Sequence, residues 1–269
     1  MHSSLIALTR AISPRLVDCE LTHLTRTPID LARAEAQHAA YEALLRTLGC
    51  EVRRVPPAPA HPDAVFIEDT AVVVDELSVL TRPGAESRRG EIDGVAMELA
   101  SLRPCVHLTA PATLDGGDVL RIGRGFFVGR TARTNEVGIV QLREALAPHG
   151  YTVTAVPVTG CLHLKSAVTA VDDATVLLNP AWVDPTVFSA YRVLMVDPAE
   201  PMAANILRVG EALVYADGSP RTLATLMAAG YRPHLVDASE LAKAEGAVTC
   251  CSVLLRRFED PVAHDGAEL

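Results

Sequence analysis

Two adjacent cysteines, Cys250 and Cys251, stand in the apolar stretch GAVTCCSVLL near the end of the chain. This short apolar run predicts a strand, on which neighbouring side chains point to opposite faces. The two sulfurs are therefore expected to lie in different environments. A cysteine thiolate is a strong nucleophile, whereas many cysteines serve only as small buried hydrophobes. We predict chemistry at one of the two, and a structural role for Cys251.

Residues that could assist a cysteine nucleophile are dispersed along the chain rather than gathered in one motif. Such a nucleophile needs a general acid or base and a carboxylate that orients it. Suitable side chains occur in three segments: HPDAVFIEDT with Asp63, Glu68 and Asp69, TLDGGDV with Asp115 and Asp118, and GCLHLKS with His163 and Lys165. The segment MAANIL carries Asn205 at the corresponding place. Glu68 and Asp69 interrupt an apolar run, and buried carboxylates are costly unless a cation meets them. These two residues are the strongest candidates for contact with a cationic group.

Each of these residues also has a purely structural interpretation. His163 alone could be a hydrogen-bonded histidine of the core, and Asp115 with Gly116 and Gly117 could form a tight turn. Arg88 and Arg133 stand just before helix-like stretches and could be solvated residues at helix starts. A functional role for any of them depends on the fold bringing them together.

A repeat in the sequence supplies elements that could do so. Four segments have the hairpin pattern of two short apolar runs separated by about two polar or glycine residues. They span 69–83, 117–131, 166–180 and 204–218. Helix-like stretches, several ending in glycine, lie at 30–49, 87–102, 134–150 and 219–230. Strand-like runs follow at 50–56, 105–111, 151–158, 191–197 and 231–237, and a short helix is expected within 181–190.

The repeating unit is thus helix, strand, loop and hairpin, about five times over. The fifth hairpin lacks a second strand, which SLIALTR at 4–10 could supply by pairing the two ends of the chain. Closure would remove a pair of exposed sheet edges. We therefore predict an α/β fold, a five-bladed pseudo-symmetric propeller in a single domain over 1–258, followed by a polar tail at 259–269. The loops that lead into the hairpins would then meet around the axis. The alternative is an ordinary α/β domain with coincidentally similar hairpins.

Composition narrows the class of ligand. The 269 residues carry a formal charge of −9 without a basic block, which disfavours nucleic acid and anionic membranes as partners. No C-x-x-C or H-E-x-x-H motif occurs, so we expect no metal site, and GRGFFVG at 123–129 departs from the dinucleotide motif. No apolar run is long enough for a membrane span and no signal peptide is visible. Together with the dispersed cysteines, this suggests a reducing cytoplasm.

Seven segments of the chain carry a family resemblance. They are DLARAEAQH, PDAVFIEDTAVV, TRPGAESRRGEID, ATLDGGDVL, FFVGRTARTN, CLHLKS and EGAVTCCSVL, spread over about residues 30–255. In this order they resemble the dimethylarginine dimethylaminohydrolases of the guanidino-group-modifying pentein superfamily. The resemblance implies the five-bladed α/β propeller and the hydrolysis of Nω-methylated arginines, asymmetric dimethylarginine and monomethylarginine, to citrulline and a methylamine. Cys161 stands where glycine is usual in that family.

The resemblance also implies roles for individual residues. Cys250 matches the nucleophile, which forms a covalent thiouronium intermediate, His163 matches the general acid and base, and Asp115 matches the carboxylate that orients it. The implied substrate contacts are Glu68 and Asp69 to the guanidinium group, Asp63 and the backbone of Leu21 to the α-amino group, and Arg88 and Arg133 to the α-carboxylate. The expected partner is a small methylated arginine, with no metal and no cofactor, and a homodimer is one possible assembly.

Three other functions stay open at this stage. An arginine deiminase would use the same chemistry on unmethylated arginine, although such enzymes usually carry an extra helical insertion for which this chain is too short. An amidinotransferase would pass the amidino group to an amine instead of water. A non-catalytic member of the superfamily would bind a partner without reaction, but the cysteine, histidine and carboxylate set and the acidic charge argue against it.

Overall fold

Fifteen short strands form five separate three-stranded sheets in a computed structural model of the chain, which describes residues 5–257. In chain order the strands are β1 (Leu5–Thr9), β2 (Glu51–Arg54), β3 (Ala71–Val73), β4 (Ser78–Leu80), β5 (Cys105–His107), β6 (Val119–Ile122), β7 (Gly125–Arg130), β8 (Thr152–Pro157), β9 (Val168–Ala170), β10 (Thr175–Leu178), β11 (Arg192–Met195), β12 (Ile206–Val209), β13 (Ala212–Ala216), β14 (His234–Val236) and β15 (Val253–Arg256). Each sheet is one blade.

The four predicted hairpins are confirmed. Strand β3 pairs antiparallel with β4, β6 with β7, β9 with β10 and β12 with β13. In each case a third strand lies parallel to the second strand of the hairpin: β5, β8, β11 and β14 respectively. A parallel neighbour requires a crossover connection, which the segment between the hairpin and its third strand provides. A blade therefore consists of a hairpin and the strand that follows the next crossover.

The predicted closure of the ring is also confirmed. Strand β15 pairs antiparallel with β1, from Leu5 opposite Arg256 to Leu8 opposite Val253, and β2 lies parallel on the other side of β1. The two ends of the described chain thus complete one blade, which makes the fold a five-bladed α/β propeller.

Helices occupy most of the predicted crossovers. The α-helices of residues 5–257 are α1 (Leu31–Thr47), α2 (Ile92–Ala100), α3 (Glu136–Leu146), α4 (Leu164–Ala167), α5 (Pro220–Ala228) and α6 (Ser239–Ala242), of which α4 and α6 lie instead in the loops that lead into β9 and β15. Asp30 caps α1 by accepting from the Arg33 N–H, and Gly49 just beyond α1 has a φ of +89°, which L side chains rarely adopt. The crossover between β10 and β11 holds only a short 3₁₀ turn, Pro185–Phe188, where a short helix was expected.

Apolar side chains pack between each sheet and its helix. In the blade formed by β6, β7 and β8, Ile139 and Leu142 of α3 are buried in one apolar cluster with Phe126 and Val128 of β7. Burying a side chain of this size stabilises the fold by about 1.5–3 kcal/mol. Within residues 5–257 every helix is too short or too polar to cross a bilayer. The predicted polar tail at 259–269 lies outside the described residues, so the domain boundary at 258 stays a prediction.

Candidate active site

Loops from several blades meet at one end of the ring axis and enclose a small cavity. The lining residues are Glu20, Asp63, Phe66, Asp69, Arg88, Arg133, Leu162, His163, Ala244, Glu245, Gly246 and Cys250. Six of them were predicted as site residues from the sequence: Asp63, Asp69, Arg88, Arg133, His163 and Cys250. The loop before β3 carries Asp69, the loop before β9 carries His163 and the loop before β15 carries Cys250. Residues as far apart in the chain as Glu20 and Cys250 therefore line one cavity because equivalent loops of the repeat converge.

Asp115 holds the imidazole of His163. The Asp115 Oδ2 and His163 Nε2 atoms are 3.0 Å apart, and both side chains are buried. The other carboxylate oxygen, Oδ1, accepts a hydrogen bond of 2.8 Å from the Gly84 N–H. The carboxylate is therefore fixed from two sides, which fixes the orientation of the ring.

His163 is surrounded by negative charge. Burial lowers the pKa of its imidazole, but the carboxylates of Asp69, Asp115 and Asp118 outweigh this effect and raise the pKa to about 9. The Nδ1 atom lies 4.0 Å from Asp69 Oδ1. At neutral pH the ring is therefore an imidazolium, which can donate a proton. This is not the environment of an uncharged core histidine.

Asp69 lies at the centre of the charged groups. Its Oδ2 accepts a 2.6 Å hydrogen bond from Arg88 Nη1, and its Oδ1 accepts a 2.8 Å bond from the Gly117 N–H. Burial would raise the pKa of Asp69, but the positive charges of His163 and Arg88 lower it to about 2. A Cβ atom on Gly117 would lie 2.5 Å from His163 Nδ1, so glycine is required here by close approach.

Arg88 is buried in the wall of the cavity. Besides Asp69, its guanidinium bonds the Glu91 carboxylate through Nε and Nη2 and the Phe66 carbonyl through Nη2. These bonds leave one of the two Nη1 hydrogens without a partner among the described residues. Arg88 can therefore offer one further donor to a ligand. Arg133 is only half-buried and donates to Thr22 Oγ1 at 3.2 Å.

Asp63 closes the cavity on the side of loop 20–24. Its Oδ2 accepts a 3.1 Å bond from the Glu20 N–H. Burial raises the pKa of Asp63 to about 6, although Arg88 acts in the opposite direction. Leu21, whose backbone was predicted to contact a ligand, does not line the cavity, and its side chain packs against the apolar cluster around α1.

The strand predicted across Cys250 and Cys251 is wrong. The two residues lie in a turn, and β15 begins only at Val253. The Cys250 N–H donates to Ala247 O and its carbonyl accepts from the Glu68 N–H, so neither group is available to a sheet. The expected difference between the sulfurs nevertheless holds. Cys250 lines the cavity, whereas Cys251 is 2% exposed and packs in the core beneath α1.

The thiol of Cys250 is poorly ionised in this environment. Burial and the negative charges of Glu68 and Asp69 raise its pKa to about 12. A further positive charge that enters the cavity would lower this pKa and favour the thiolate.

Glu68 does not join Asp69 at the cavity, contrary to the predicted pair of carboxylates around a guanidinium group. Its carboxylate is paired with Lys165 and accepts a 2.9 Å bond from Thr249 Oγ1. These three residues line a second cavity, of about 310 Å³, among the inner strands of the blades. The reason is local, since Glu68 and Asp69 are consecutive in the 3₁₀ turn Ile67–Thr70 and point about 120° apart.

Two further residues of the site were not assigned a role from the sequence. Asp118 accepts a 2.9 Å bond from the Leu164 N–H and a 2.6 Å bond from the Thr134 hydroxyl, which positions the backbone next to His163. Glu245 lines the cavity and bonds loop 20–24. The position of Glu245 five residues before Cys250, in EGAVTCC, is only a weak indication in the sequence that it lies near the site.

A metal ion would compete with existing bonds here. Oxygen and nitrogen atoms of Asp69, Asp115 and His163 lie within 4.8 Å of one another, which is close enough for shared coordination. Each of these groups is already hydrogen-bonded, and the Arg88 guanidinium lies 2.6 Å from Asp69. A second cation beside Arg88 would be repelled. The arrangement therefore favours proton transfer over metal binding.

Known proteins share both the sequence and the fold. No protein-family model matches the chain. An N(G),N(G)-dimethylarginine dimethylaminohydrolase of Streptomyces coelicolor is 46% identical over 256 residues, covering 94% of this chain and 98% of that protein. The protein of the same name from Pseudomonas aeruginosa is 34% identical over 256 residues, covering 94% and 99%. A solved structure of the Pseudomonas protein, a cysteine-to-serine mutant complexed with citrulline, has a TM-score of 0.87 at 32% identity and covers 93% of this chain and 98% of that one.

Proposed function

The chain belongs to the N(G),N(G)-dimethylarginine dimethylaminohydrolase family, and from this membership we propose that it hydrolyses Nω-methylated arginine to citrulline and a methylamine. One observation carries the assignment of roles. Cys250 shares a cavity with an imidazolium, His163, that a buried carboxylate holds in place. That combination supplies a nucleophile and a proton donor for a carbon–nitrogen bond.

The charges of the cavity match the three ionic groups of the substrate. Asp69 receives the guanidinium group, and Asp63 with the backbone of Leu21 receives the α-ammonium group. Arg133 and the free Nη1 hydrogen of Arg88 receive the α-carboxylate. Support comes from the distribution of these residues, since all but Leu21 line the same cavity. Glu68 contributes only charge, because its oxygens are held by Lys165 and Thr249.

The first step of the proposed reaction is transfer of the Cys250 proton to solvent water. Without substrate, the pKa of this thiol is raised to about 12 by burial, Glu68 and Asp69. A bound guanidinium places a positive charge next to the sulfur and lowers that pKa. The substrate therefore promotes the formation of the nucleophile that attacks it.

In the second step the thiolate attacks the guanidinium carbon. A carbon–sulfur bond forms, and the tetrahedral intermediate collapses with cleavage of the bond to the methylated nitrogen. His163 donates its proton to that nitrogen, which leaves as a neutral amine. The leaving amine thus carries away the proton of the imidazolium, and the enzyme holds a thiouronium intermediate.

In the third step His163, now neutral, accepts a proton from water as the water oxygen attacks the thiouronium carbon. The carbon–sulfur bond breaks, and the proton of the new hydroxyl group passes to the departing Cys250 sulfur. Neutral citrulline leaves, and the Cys250 thiol and the His163 imidazolium are both restored. General acid–base catalysis of this kind is worth roughly 10²–10⁴ in rate.

Parallel assays of citrulline release test this proposal. Asymmetric dimethylarginine, monomethylarginine and arginine are incubated separately with the same protein preparation, and the methylated substrates should be turned over with the higher kcat/KM. The amine released should be dimethylamine from the first and methylamine from the second. A clear preference for unmethylated arginine, with ammonia as the product, would instead assign the chain to the arginine deiminases.

A further inference from the structure

We propose that Glu245 is a positioning residue, whose carboxylate holds loop 20–24 closed over the amino-acid end of the substrate. This inference rests on the proposed function for the identity of the substrate. Its structural part, that Glu245 fixes the loop, does not.

The carboxylate of Glu245 accepts three consecutive backbone N–H groups. Its Oε1 is 3.1 Å from the Thr22 nitrogen, 2.5 Å from His23 and 2.6 Å from Leu24, and Oε2 is 3.0 Å from Thr22. The two sides of this contact are more than 220 positions apart in the chain. Hydrogen bonds to an ionised acceptor are about twice as strong as neutral ones. The loop is therefore bonded to the segment that leads into the Cys250 turn.

The backbone of Glu245 is held in an unfavourable conformation. Its φ is +58°, and among residues 5–257 it is the only residue other than glycine with a positive φ. A glutamate rarely adopts this region, and such residues persist where the surrounding contacts require them. The conformation places the carboxylate against loop 20–24 while the residue still lines the cavity.

Three other side chains contact the loop: the Ser87 hydroxyl donates a 2.7 Å bond to the Glu20 carboxylate, and the other two belong to proposed substrate ligands. Asp63 bonds the Glu20 N–H, and Arg133 bonds the Thr22 hydroxyl. An entering α-ammonium group competes for Asp63, and an α-carboxylate competes for Arg133. No group of the substrate is proposed to bind Glu245, so its hydrogen bonds to the loop can persist when the substrate is bound. They can hold the amides of Thr22, His23 and Leu24 while the substrate replaces the contacts of Asp63 and Arg133, whereas Ser87 bonds only the side chain of Glu20.

The closed cavity is too small for the substrate. It measures about 20 Å³, roughly the space of one water molecule, whereas sites for small ligands usually exceed about 300 Å³. The residues that line the cavity must therefore shift when methylarginine binds, and we expect loop 20–24 to move with them and to settle again around the amino-acid end of the substrate. Weakening Glu245 should raise KM, because the loop then contributes less to binding, and should leave the chemistry at Cys250 intact.

Hydrogen–deuterium exchange of the ligand-free protein tests the structural part without any variant. The amides of Thr22, His23 and Leu24 should exchange at least about 10-fold more slowly than those of a free peptide, because exchange requires their hydrogen bonds to open. Exchange at the free-peptide rate would overturn the proposal. This result does not depend on any catalytic activity.

Kinetics of Glu245→Gln and Glu245→Ala test the catalytic part. We expect KM for monomethylarginine to rise by about 10-fold in Glu245→Gln and further in Glu245→Ala, with kcat within about twofold of the wild type. The matched control is Glu240→Gln. Glu240 is also a buried carboxylate that accepts a backbone N–H, from Asp30, but it does not line the cavity. The KM of Glu240→Gln for monomethylarginine should stay within about twofold of the wild-type value.

A substrate without the amino-acid end separates positioning from general damage. The probe is a methylated alkylguanidine that lacks the α-amino and α-carboxylate groups, assayed by amine release. Its kcat/KM should be the same for wild type and Glu245→Gln. An equal loss on both substrates, or no change in KM for monomethylarginine, would overturn the proposal. A wild-type protein without activity on any methylated arginine would instead refute the proposed function and leave the exchange result standing.

Discussion

Replacing His163 with glutamine should remove a pH-dependent contribution to stability. The carboxylates of Asp69, Asp115 and Asp118 overcome the effect of burial and raise the pKa of His163 to about 9 in the folded state, against about 6.5 in an unfolded chain. A raised pKa stabilises the folded state at pH values below the unfolded pKa, and this stabilisation disappears as the pH rises through the folded pKa. Glutamine carries no charge at any pH.

The size of the effect follows from the two pKa values. Linkage gives a contribution of about 2.5 kcal/mol at pH 7 and close to zero at about pH 10. The hydrogen bond between His163 and Asp115 is lost in the variant at both pH values. The destabilisation caused by His163→Gln is therefore compared at the two pH values. The part that changes with pH reports the charge of the imidazolium, and the part that does not includes the loss of that bond.

Urea unfolding of wild type and His163→Gln at both pH values measures this difference. The free energy of unfolding should be higher for the wild type than for the variant. This gap should be about 2–3 kcal/mol larger at pH 7 than at about pH 10. His107→Gln, a change at an exposed position of β5, serves as the control and should alter the free energy of unfolding by less than about 0.5 kcal/mol at either pH. His163→Gln should be folded at pH 7 and inactive. A stability difference independent of pH would refute the charged histidine and favour an uncharged core residue.

Three further predictions concern the reacting end of the cavity. Cys250→Ser should abolish citrulline release whereas Cys251→Ser retains it, and the opposite result would reassign the nucleophile. Asp69→Asn should lower kcat/KM for monomethylarginine by roughly 10- to 100-fold, because a charge-assisted hydrogen bond to the guanidinium group is lost. The control Asp173→Asn, at an exposed position, should leave kcat/KM unchanged. Equal effects of the two substitutions would contradict the contact between Asp69 and the guanidinium group. Symmetric dimethylarginine should have a kcat/KM at least about 10-fold below that of the asymmetric isomer, because one of its methyl groups must face Asp69 and displace a hydrogen bond. Comparable values for the two isomers would refute that geometry.

The ring and its blades were predictable because they depend on local patterns that repeat. Each hairpin is specified by its own apolar runs and break, and the need to cover sheet edges points to pairing of β1 with β15. The same reasoning brings the loops with Asp69, His163 and Cys250 to one axis. The resemblance to a family added roles, which spacing alone does not supply.

The errors concern contacts that no local pattern encodes. The apolar stretch around Cys250 was expected to be a strand, but hydrogen bonds with Ala247 and Glu68 hold it as a turn. Glu68 was expected beside Asp69 at the cavity, but a 3₁₀ turn directs it to Lys165. The role of Glu245 depends on a loop more than 220 positions away. The turn at Cys250 and the role of Glu245 depend on partners remote in sequence, Glu68 and loop 20–24, and the direction of Glu68 depends on a local 3₁₀ turn that periodicity does not indicate.

One electrostatic field accounts for both unusual ionisable groups of the site. The buried carboxylates, Asp69 foremost, that raise the pKa of His163 to about 9 belong to the same negative environment that, together with burial, raises the pKa of Cys250 to about 12. The proton donor is therefore ready before the substrate binds, whereas the nucleophile is not. A bound guanidinium cation lowers the pKa of the Cys250 thiol, because its positive charge offsets the negative charge of the carboxylates next to the sulfur. The thiolate then attacks the carbon of the same cation. A neutral guanidine analogue of the same shape would leave the sulfur protonated. The negative charge of the cavity thus favours a cationic substrate in two ways. It attracts the cation, and it keeps the Cys250 thiol protonated until a cation binds.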